Sequence, residues 1–173
     1  MRESLMYYTQ LLPFGSLIRC AATEDFAKRF NICTDQPFER PIIDYRHHES
    51  RQLVSESHLL ACQWISPDGL DELQMLILRC VDFLRGIMIG VGLDLIELEL
   101  HFGQNFSADG QELFFISGEL SPEKFSVMDL ETGEKFGHSY LFTTSAQPIT
   151  HYRHIAHKLG LHIGPIPFQN TIP

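Results

Sequence analysis

The 173-residue chain lacks most of the features that would assign it to a specialised class of protein. Its four cysteines show no CxxC spacing, and no segment resembles a signal peptide. We therefore expect reduced thiols in a cytoplasmic protein. No apolar run reaches the ~18 residues of a membrane span. The longest candidate, Val81–Val91, is interrupted by Asp82 and Arg85, so no membrane association is expected.

Basic residues are also scarce. The chain has 13 Lys and Arg against 22 Asp and Glu, a formal charge of −9, and no basic run longer than Lys28-Arg29. Nucleic-acid binding requires clustered basic side chains that neutralise phosphates, so we expect no nucleic-acid partner. Repeats, linkers and low-complexity tracts are absent as well. Residues 1–173 are therefore predicted to form one domain, large enough to bury a core without the help of disulfides or structural metals.

The pattern of apolar residues predicts an α+β fold. Strands are expected over Pro13–Ala22 and Arg40–His47, with a short helix between them that begins after Thr23. Ser66, with Pro at the next position, opens a long helix that ends at Gly90. Its apolar stripe is predicted to be Leu70, Leu73, Ile77, Cys80, Leu84, Ile87 and Val91. A last helix over Pro148–Leu159 completes a largely antiparallel sheet with helices packed on one face.

A β-hairpin over Leu93–Glu119 presents the most informative pattern. Apolar and polar residues alternate in its first strand, and Glu112–Ser117 forms the return strand. Residues two apart lie roughly 6.6 Å from each other on one face, so their polar heads can converge on a small ligand. The predicted core face carries Ile96, Leu98, Leu100 and Phe102, and the predicted polar face carries Glu97, Glu99 and His101. The alternative is that the polar face is simply solvated.

Four segments together resemble a known family. They are LIRCAATEDFAKRF, LVSESHLL, VGLDLIELELHFG and GELSPEKFSVMDLETGEKFG. In this order and spacing they are similar to the carboxy-terminal half of SAICAR synthetase, phosphoribosylaminoimidazole-succinocarboxamide synthetase, over Leu12–Leu161. The resemblance implies an enzyme that joins aspartate to a carboxylated aminoimidazole ribonucleotide, using ATP and magnesium. The family also has a glycine-rich ATP-binding lobe, of which this sequence shows no trace.

Several positions depart from the family pattern. The resemblance places Asp25 where a serine helps to hold the substrate phosphate, and an acid there repels phosphate. Glu99 replaces a lysine, and His101 replaces a metal-binding acid. Ser126 stands in place of an arginine, and Ser139 in place of the second acid of an Asp-Lys-Asp run. We therefore expect a degenerate version of the family's site, with no tight ATP binding and no ligation of aspartate.

These residues predict an ATP-independent acid–base site. Glu97, Glu99 and His101 are the candidate catalytic residues, with one carboxylate kept protonated as general acid and His101 as base. Arg19 is expected to orient a ligand oxygen. Further candidates for substrate binding are Glu119, Lys28 and Arg29. No metal cofactor is expected, although Glu99, His101 and Glu119 could together hold a divalent ion.

Three functions follow from this pattern. We favour a small-molecule enzyme in a biosynthetic pathway. The alternative is a non-catalytic binding or interaction protein of the same fold, and the least favoured function is a purine-pathway ligase. The apolar residues of Met6–Ile18 predict a homodimer.

A second cluster lies on the last helix. His151, His154 and His157 recur every three residues, with His162 beyond them. Two such histidines can bind zinc, but the third rotates around the helix and no acid or cysteine lies close by in sequence. A partly exposed surface helix is the preferred interpretation.

Overall fold

The computed structural model describes residues 8–140 and 148–161. Within these ranges, seven strands form one antiparallel sheet with β4 in the middle. One edge of β4 pairs with β1, while β6 and β5 share its other edge. The strands are β1 (Gln10–Ala21), β2 (Pro37–His47), β3 (Leu53–Val54), β4 (Leu93–Phe106), β5 (Glu112–Ser117), β6 (Phe125–Asp129) and β7 (Lys135–Gly137). The predicted α+β class is confirmed.

Four α-helices accompany the sheet in the described part of the chain. They are α1 (Glu24–Phe30), α2 (Glu56–Ala61), α3 (Pro67–Gly90) and α4 (Pro148–Lys158). A 3-10 turn at His138–Tyr140 follows β7. None of these helices is long and apolar enough to cross a membrane.

Sequence patterns missed α2 and the short strand β3 before it. In α2 the backbone N–H of Ser55 donates to Nδ1 of His58 at 3.1 Å. A histidine thus takes the place of the Glu or Gln that marks a capping box in sequence.

The core lies between one face of the sheet and α2, α3 and α4. Among the helices, α3 contributes most to this core, and its buried apolar residues are Leu70, Leu73, Ile77, Val81 and Met88. Ile87, predicted to lie in this stripe, is 41% exposed. A 3.6-residue period moves the buried face to Val81 and Met88 toward the end of the helix. Each fully buried large side chain stabilises the fold by about 1.5–3 kcal/mol.

A β-bulge in β4 shifts the alternation of its side chains. Leu95 pairs with Val127 and Glu97 pairs with Ser126, so Ile96 is the extra residue. The core contains Leu93 and Leu95 before the bulge, and Leu98, Leu100 and Phe102 after it. The prediction that Ile96 shares the core face is therefore wrong. The bulge leaves Glu97, Glu99 and His101 on the opposite face, as predicted.

Candidate functional site

The candidate site lies on the sheet face away from the core, where β1 and β4 are paired. In this register Arg19 is opposite Glu97 and Gly15 is opposite His101. The exposed fraction is 6% for Glu97 and 7% for Glu99. These carboxylates are buried, so the alternative of a simply solvated face is wrong for both of them.

Glu97 is held from two sides. Its Oε2 atom forms an ion pair of 3.3 Å with Nε of Arg19, and its Oε1 atom accepts a hydrogen bond of 2.5 Å from the hydroxyl of Ser139. Arg19 also pairs with Asp44 on β2 and lies over the ring of Phe26 in α1, 5.2 Å from its centroid. Both carboxylate oxygens of Glu97 are thus engaged, one by Arg19 of β1 and the other by Ser139 of the 3-10 turn.

Glu99 lies two residues along the strand in a separate cluster. Its Oε1 atom is 3.0 Å from Nε2 of His101, 3.6 Å from Nη1 of Arg51 and 3.7 Å from Nζ of Lys124. Burial by itself would raise the pKa of Glu99. The hydrogen bond from His101 and the charges of Lys124 and Arg51 outweigh burial and lower the pKa. The lowered pKa favours the ionised form of Glu99, so of the two carboxylates it is not the one suited to the predicted role of protonated general acid.

A second imidazole, that of His48 on the β2–β3 turn, completes this cluster. Its ring centroid is 4.6 Å from that of His101. Its Nε2 atom is buried without a hydrogen-bond partner among the described residues. Burial, followed by the neighbouring His101, lowers the pKa of His48. The lowered pKa favours the neutral form of His48, a residue that the sequence pattern did not indicate.

The Glu99 cluster leaves no room for a ligand. The small recess around Glu99, His48, Arg51 and Arg46 does not admit a water molecule. Gly15 contributes to this close packing, because a Cβ atom there would lie 2.7 Å from the carbonyl oxygen of Leu100. The three predicted catalytic residues therefore do not face one pocket.

An open cleft of about 340 Å³ adjoins Glu97 instead. Its lining includes three arginines, three acids and a serine hydroxyl: Arg19, Arg29, Arg46, Glu24, Asp25, Glu97 and Ser139. Arg46 lines both the cleft and the recess, and its Nε atom is buried without a hydrogen-bond partner in the described part of the chain. Arg46 was missed from the sequence, although it lies on the predicted strand β2 two residues after Asp44.

The other predicted binding residues are distributed differently. Arg29 lines the cleft, but Lys28 is 72% exposed and pairs with Glu24 at 3.4 Å. Glu119 is exposed, and its charge acts on Tyr152 rather than on the Glu99 cluster. Among the described residues, no three His, Cys, Asp or Glu side chains are arranged to hold a metal ion. The structure does not bring Glu119 to Glu99 and His101.

The helix α4 is partly exposed, as the preferred interpretation predicted: His157 is exposed, His154 is half-buried and His151 is buried. The ring of His154 stacks on Phe136 at 4.0 Å. Nε2 of His154 lies 2.8 Å from Oδ2 of Asp129, which Nζ of Lys158 also contacts at 2.9 Å. These contacts tie α4 to the end of β6. His162 lies outside the described residues.

Asp129 also shapes the turn between β6 and β7. Its Oδ1 atom accepts hydrogen bonds from the backbone N–H groups of Glu131 at 2.8 Å and Thr132 at 3.3 Å. The hydrogen bond from Lys158, followed by that from Glu131, holds the pKa of Asp129 far below its usual range. Asp129 is therefore an ionised structural acid.

Comparison with known proteins identifies the family. No family model matches the chain. The phosphoribosylaminoimidazole-succinocarboxamide synthase of Rickettsia rickettsii (strain Sheila Smith) is 32% identical over 162 residues, covering 92% of this chain and 68% of the relative. The synthase of Dinoroseobacter shibae is 30% identical over 164 residues, covering 93% of this chain and 64% of the relative.

A solved structure agrees with these relatives. The crystal structure of the Ehrlichia chaffeensis synthase superposes with a TM-score of 0.81 at 29% identity, covering 91% of this chain and 67% of that one. The chain spans 64% to 68% of the length of these relatives. On sequence and fold together, the chain belongs to the SAICAR synthetase family.

Proposed function

We propose that the chain is a small-molecule enzyme that binds an anionic ligand in the Arg19–Glu97 cleft and acts on it by acid–base chemistry without ATP. The observation that carries this proposal is Arg46. A guanidinium that forms no ion pair or hydrogen bond with the described residues, on the wall of a 340 Å³ cleft, is suited to a ligand carboxylate. Arg19 is already paired with two acids, so Arg46 and Arg29 are the better anion contacts.

The substituted positions support a reaction that does not use the family's substrates. Asp25 lines the cleft where the resemblance places a serine that holds the substrate phosphate, and its charge would repel a dianionic phosphate more strongly than a carboxylate. Glu99 replaces a lysine and is held inside a closed cluster. Ser126 replaces an arginine, and its buried hydroxyl oxygen accepts a hydrogen bond from the backbone N–H of Ser139 at 3.0 Å.

Glu97 and Ser139 supply the acid–base group. A 2.5 Å O–H···O⁻ contact is at the short end for hydrogen bonds to a carboxylate. Glu97 can accept a proton through the Ser139 hydroxyl, while Arg19 fixes the position of the carboxylate. We therefore assign the proton-transfer role to Glu97 and Ser139, and a positioning role to Arg19.

A specific observation favours the non-catalytic alternative. Both carboxylate oxygens of Glu97 already have partners, so the cleft could hold a ligand without reacting with it. In that case the protein would bind the same anion through Arg46 and transfer no proton.

Titration calorimetry with 2-oxoglutarate and with Mg-ATP tests the proposal. We expect 2-oxoglutarate, a dicarboxylate probe, to bind with a Kd on the order of 1 mM and Mg-ATP to give no saturable heat. Arg46→Met should abolish binding of the probe, whereas Arg40→Met, an exposed arginine on the same strand, should leave it unchanged. Micromolar Mg-ATP affinity, or 2-oxoglutarate affinity that is absent or insensitive to Arg46→Met, would overturn the proposal.

A further inference from the structure

A second concave surface lies on the core side of the molecule, between α3, α4 and the segment that leads into β6. It is a groove of about 410 Å³ and shares no lining residue with the Arg19–Glu97 cleft. Residues of its floor include Leu84, Met88, Phe125, Ile155 and Leu159. We call it the α3–α4 groove.

The size and lining of the α3–α4 groove are those of a small-molecule site. Ligand pockets typically have roughly 300–1,000 Å³, with mostly apolar walls and a few polar groups that orient the ligand. Ile87, Leu120 and Leu161 line the groove and are exposed by 41%, 45% and 61%. Apolar surface at this mouth is therefore available to a ligand that buries it.

The polar groups at the edge of the groove are acidic. The hydroxyl of Tyr152, a lining residue, donates to Oε1 of Glu123 at 2.7 Å. Burial, followed by Glu123 and then Glu119, raises the pKa of Tyr152 to about 12. Of the two basic residues Arg153 and Lys158 on α4, neither lines the groove, and Lys158 is bound to Asp129. The groove thus combines an apolar floor with two carboxylates at its edge.

We propose that the α3–α4 groove binds a small amphiphile with an apolar body and a cationic amine head. The apolar body would cover the side chains of α3 and α4. The amine would form an ion pair with Glu123, assisted by Glu119. An amphiphile with a carboxylate head would meet the same acids and be repelled, so the charge of the edge selects the sign of the head group.

Calorimetric titration with n-octylammonium and octanoate, both below micelle concentration, tests this inference. The two probes share one apolar body and differ in head-group charge. We expect n-octylammonium to bind about tenfold more tightly than octanoate, because only the ammonium head can form a charge-assisted contact with Glu123. Glu123→Gln should reduce that ratio toward one. Ile87→Asn should weaken binding of n-octylammonium, whereas Ile89→Asn, on the same helix but outside the groove, should not.

Other occupants of the α3–α4 groove would give different results in these experiments. Equal affinity for the two probes, or no binding of n-octylammonium, would overturn the proposal. Concentration-dependent sedimentation that Ile87→Asn abolishes, with no effect of n-octylammonium, would show instead that a second copy of the chain occupies the groove. Binding that Ile89→Asn weakens as much as Ile87→Asn would place the probe elsewhere on α3.

Discussion

The hydroxyl of Ser139 and the carboxylate of Glu97, 42 residues apart in the chain, are joined by a hydrogen bond of 2.5 Å. The bond connects the 3-10 turn after β7 to the middle strand of the sheet at the wall of the cleft. The proton transfer proposed for Glu97 would therefore depend on two distant segments that the fold holds together.

Removal of either partner should separate catalysis from binding. In D₂O, the wild-type chain is expected to accelerate deuterium uptake at C3 of bound 2-oxoglutarate, measured by NMR. Ser139→Ala and Glu97→Gln should each slow this uptake by about 10²-fold or more, because one positioned acid or base is lost. Calorimetry should still show binding of the probe through Arg46. Binding without deuterium uptake in the wild type would favour the non-catalytic function.

Glu99→Gln should lower the stability of the fold. The substitution leaves His101, Arg51 and Lys124 without their shared carboxylate. We expect a loss of about 2 kcal/mol in the free energy of unfolding, since hydrogen bonds to a buried charge are involved. Urea denaturation measures it, with the exposed Glu49→Gln as the matched control. An unchanged urea midpoint would show that the Glu99 cluster does not stabilise the fold.

Asp129 should make stability depend on acid pH. Its pKa is depressed in the folded state, so its contribution is complete above the unfolded value of about 4 and is lost as pH falls toward the folded value. Asp129→Asn should lower the urea midpoint at pH 7, and its difference from wild type should shrink by pH 3. Glu131→Gln, an exposed acid 3.9 Å from the same lysine, is the control and should change the midpoint little. A pH-independent difference for Asp129→Asn would contradict this role.

Self-association remains a prediction, although part of its predicted surface is buried. In Met6–Ile18, Leu12, Phe14 and Ile18 are buried in the core because β1 lies inside the sheet, whereas Tyr8 and Leu11 are exposed; Met6 and Tyr7 lie outside the described residues. The helix α3 offers a further apolar surface outside the α3–α4 groove, with Phe83 68% exposed. We propose a homodimer through this face of α3. Sedimentation at tens of micromolar should show a dimer that Phe83→Asp dissociates; a monomeric wild type would refute it.

Much of the fold could be predicted because local patterns determine it. The apolar run over Glu112–Ser117 predicted β5 with its observed bounds, and Ser66-Pro67 predicted the start of α3. Which residues of β4 face the core could not be predicted along the whole strand. The extra residue Ile96 follows from pairing with β6, which alternation within one strand does not reveal.

The site was harder to predict than the fold. Alternation correctly placed Glu97, Glu99 and His101 on one face, but it does not indicate which residues of other strands lie beside them. Arg46 enters the cleft from β2, and Ser139 from the turn after β7. Their proximity to Glu97 is a tertiary property. Glu97 therefore faces the cleft and Glu99 does not, because different residues of the neighbouring elements lie beside each of them.

The pairing of β1 with β4 has a kinetic consequence. Arg19 and Glu97 face each other across strands separated by roughly 80 residues of chain. Closing so long a loop is entropically unfavourable, and non-local pairing of this kind slows folding. The cleft can form only after this closure, whereas α3 and the β4–β5 hairpin depend on local contacts. During refolding, ligand affinity should therefore be recovered later than helical content.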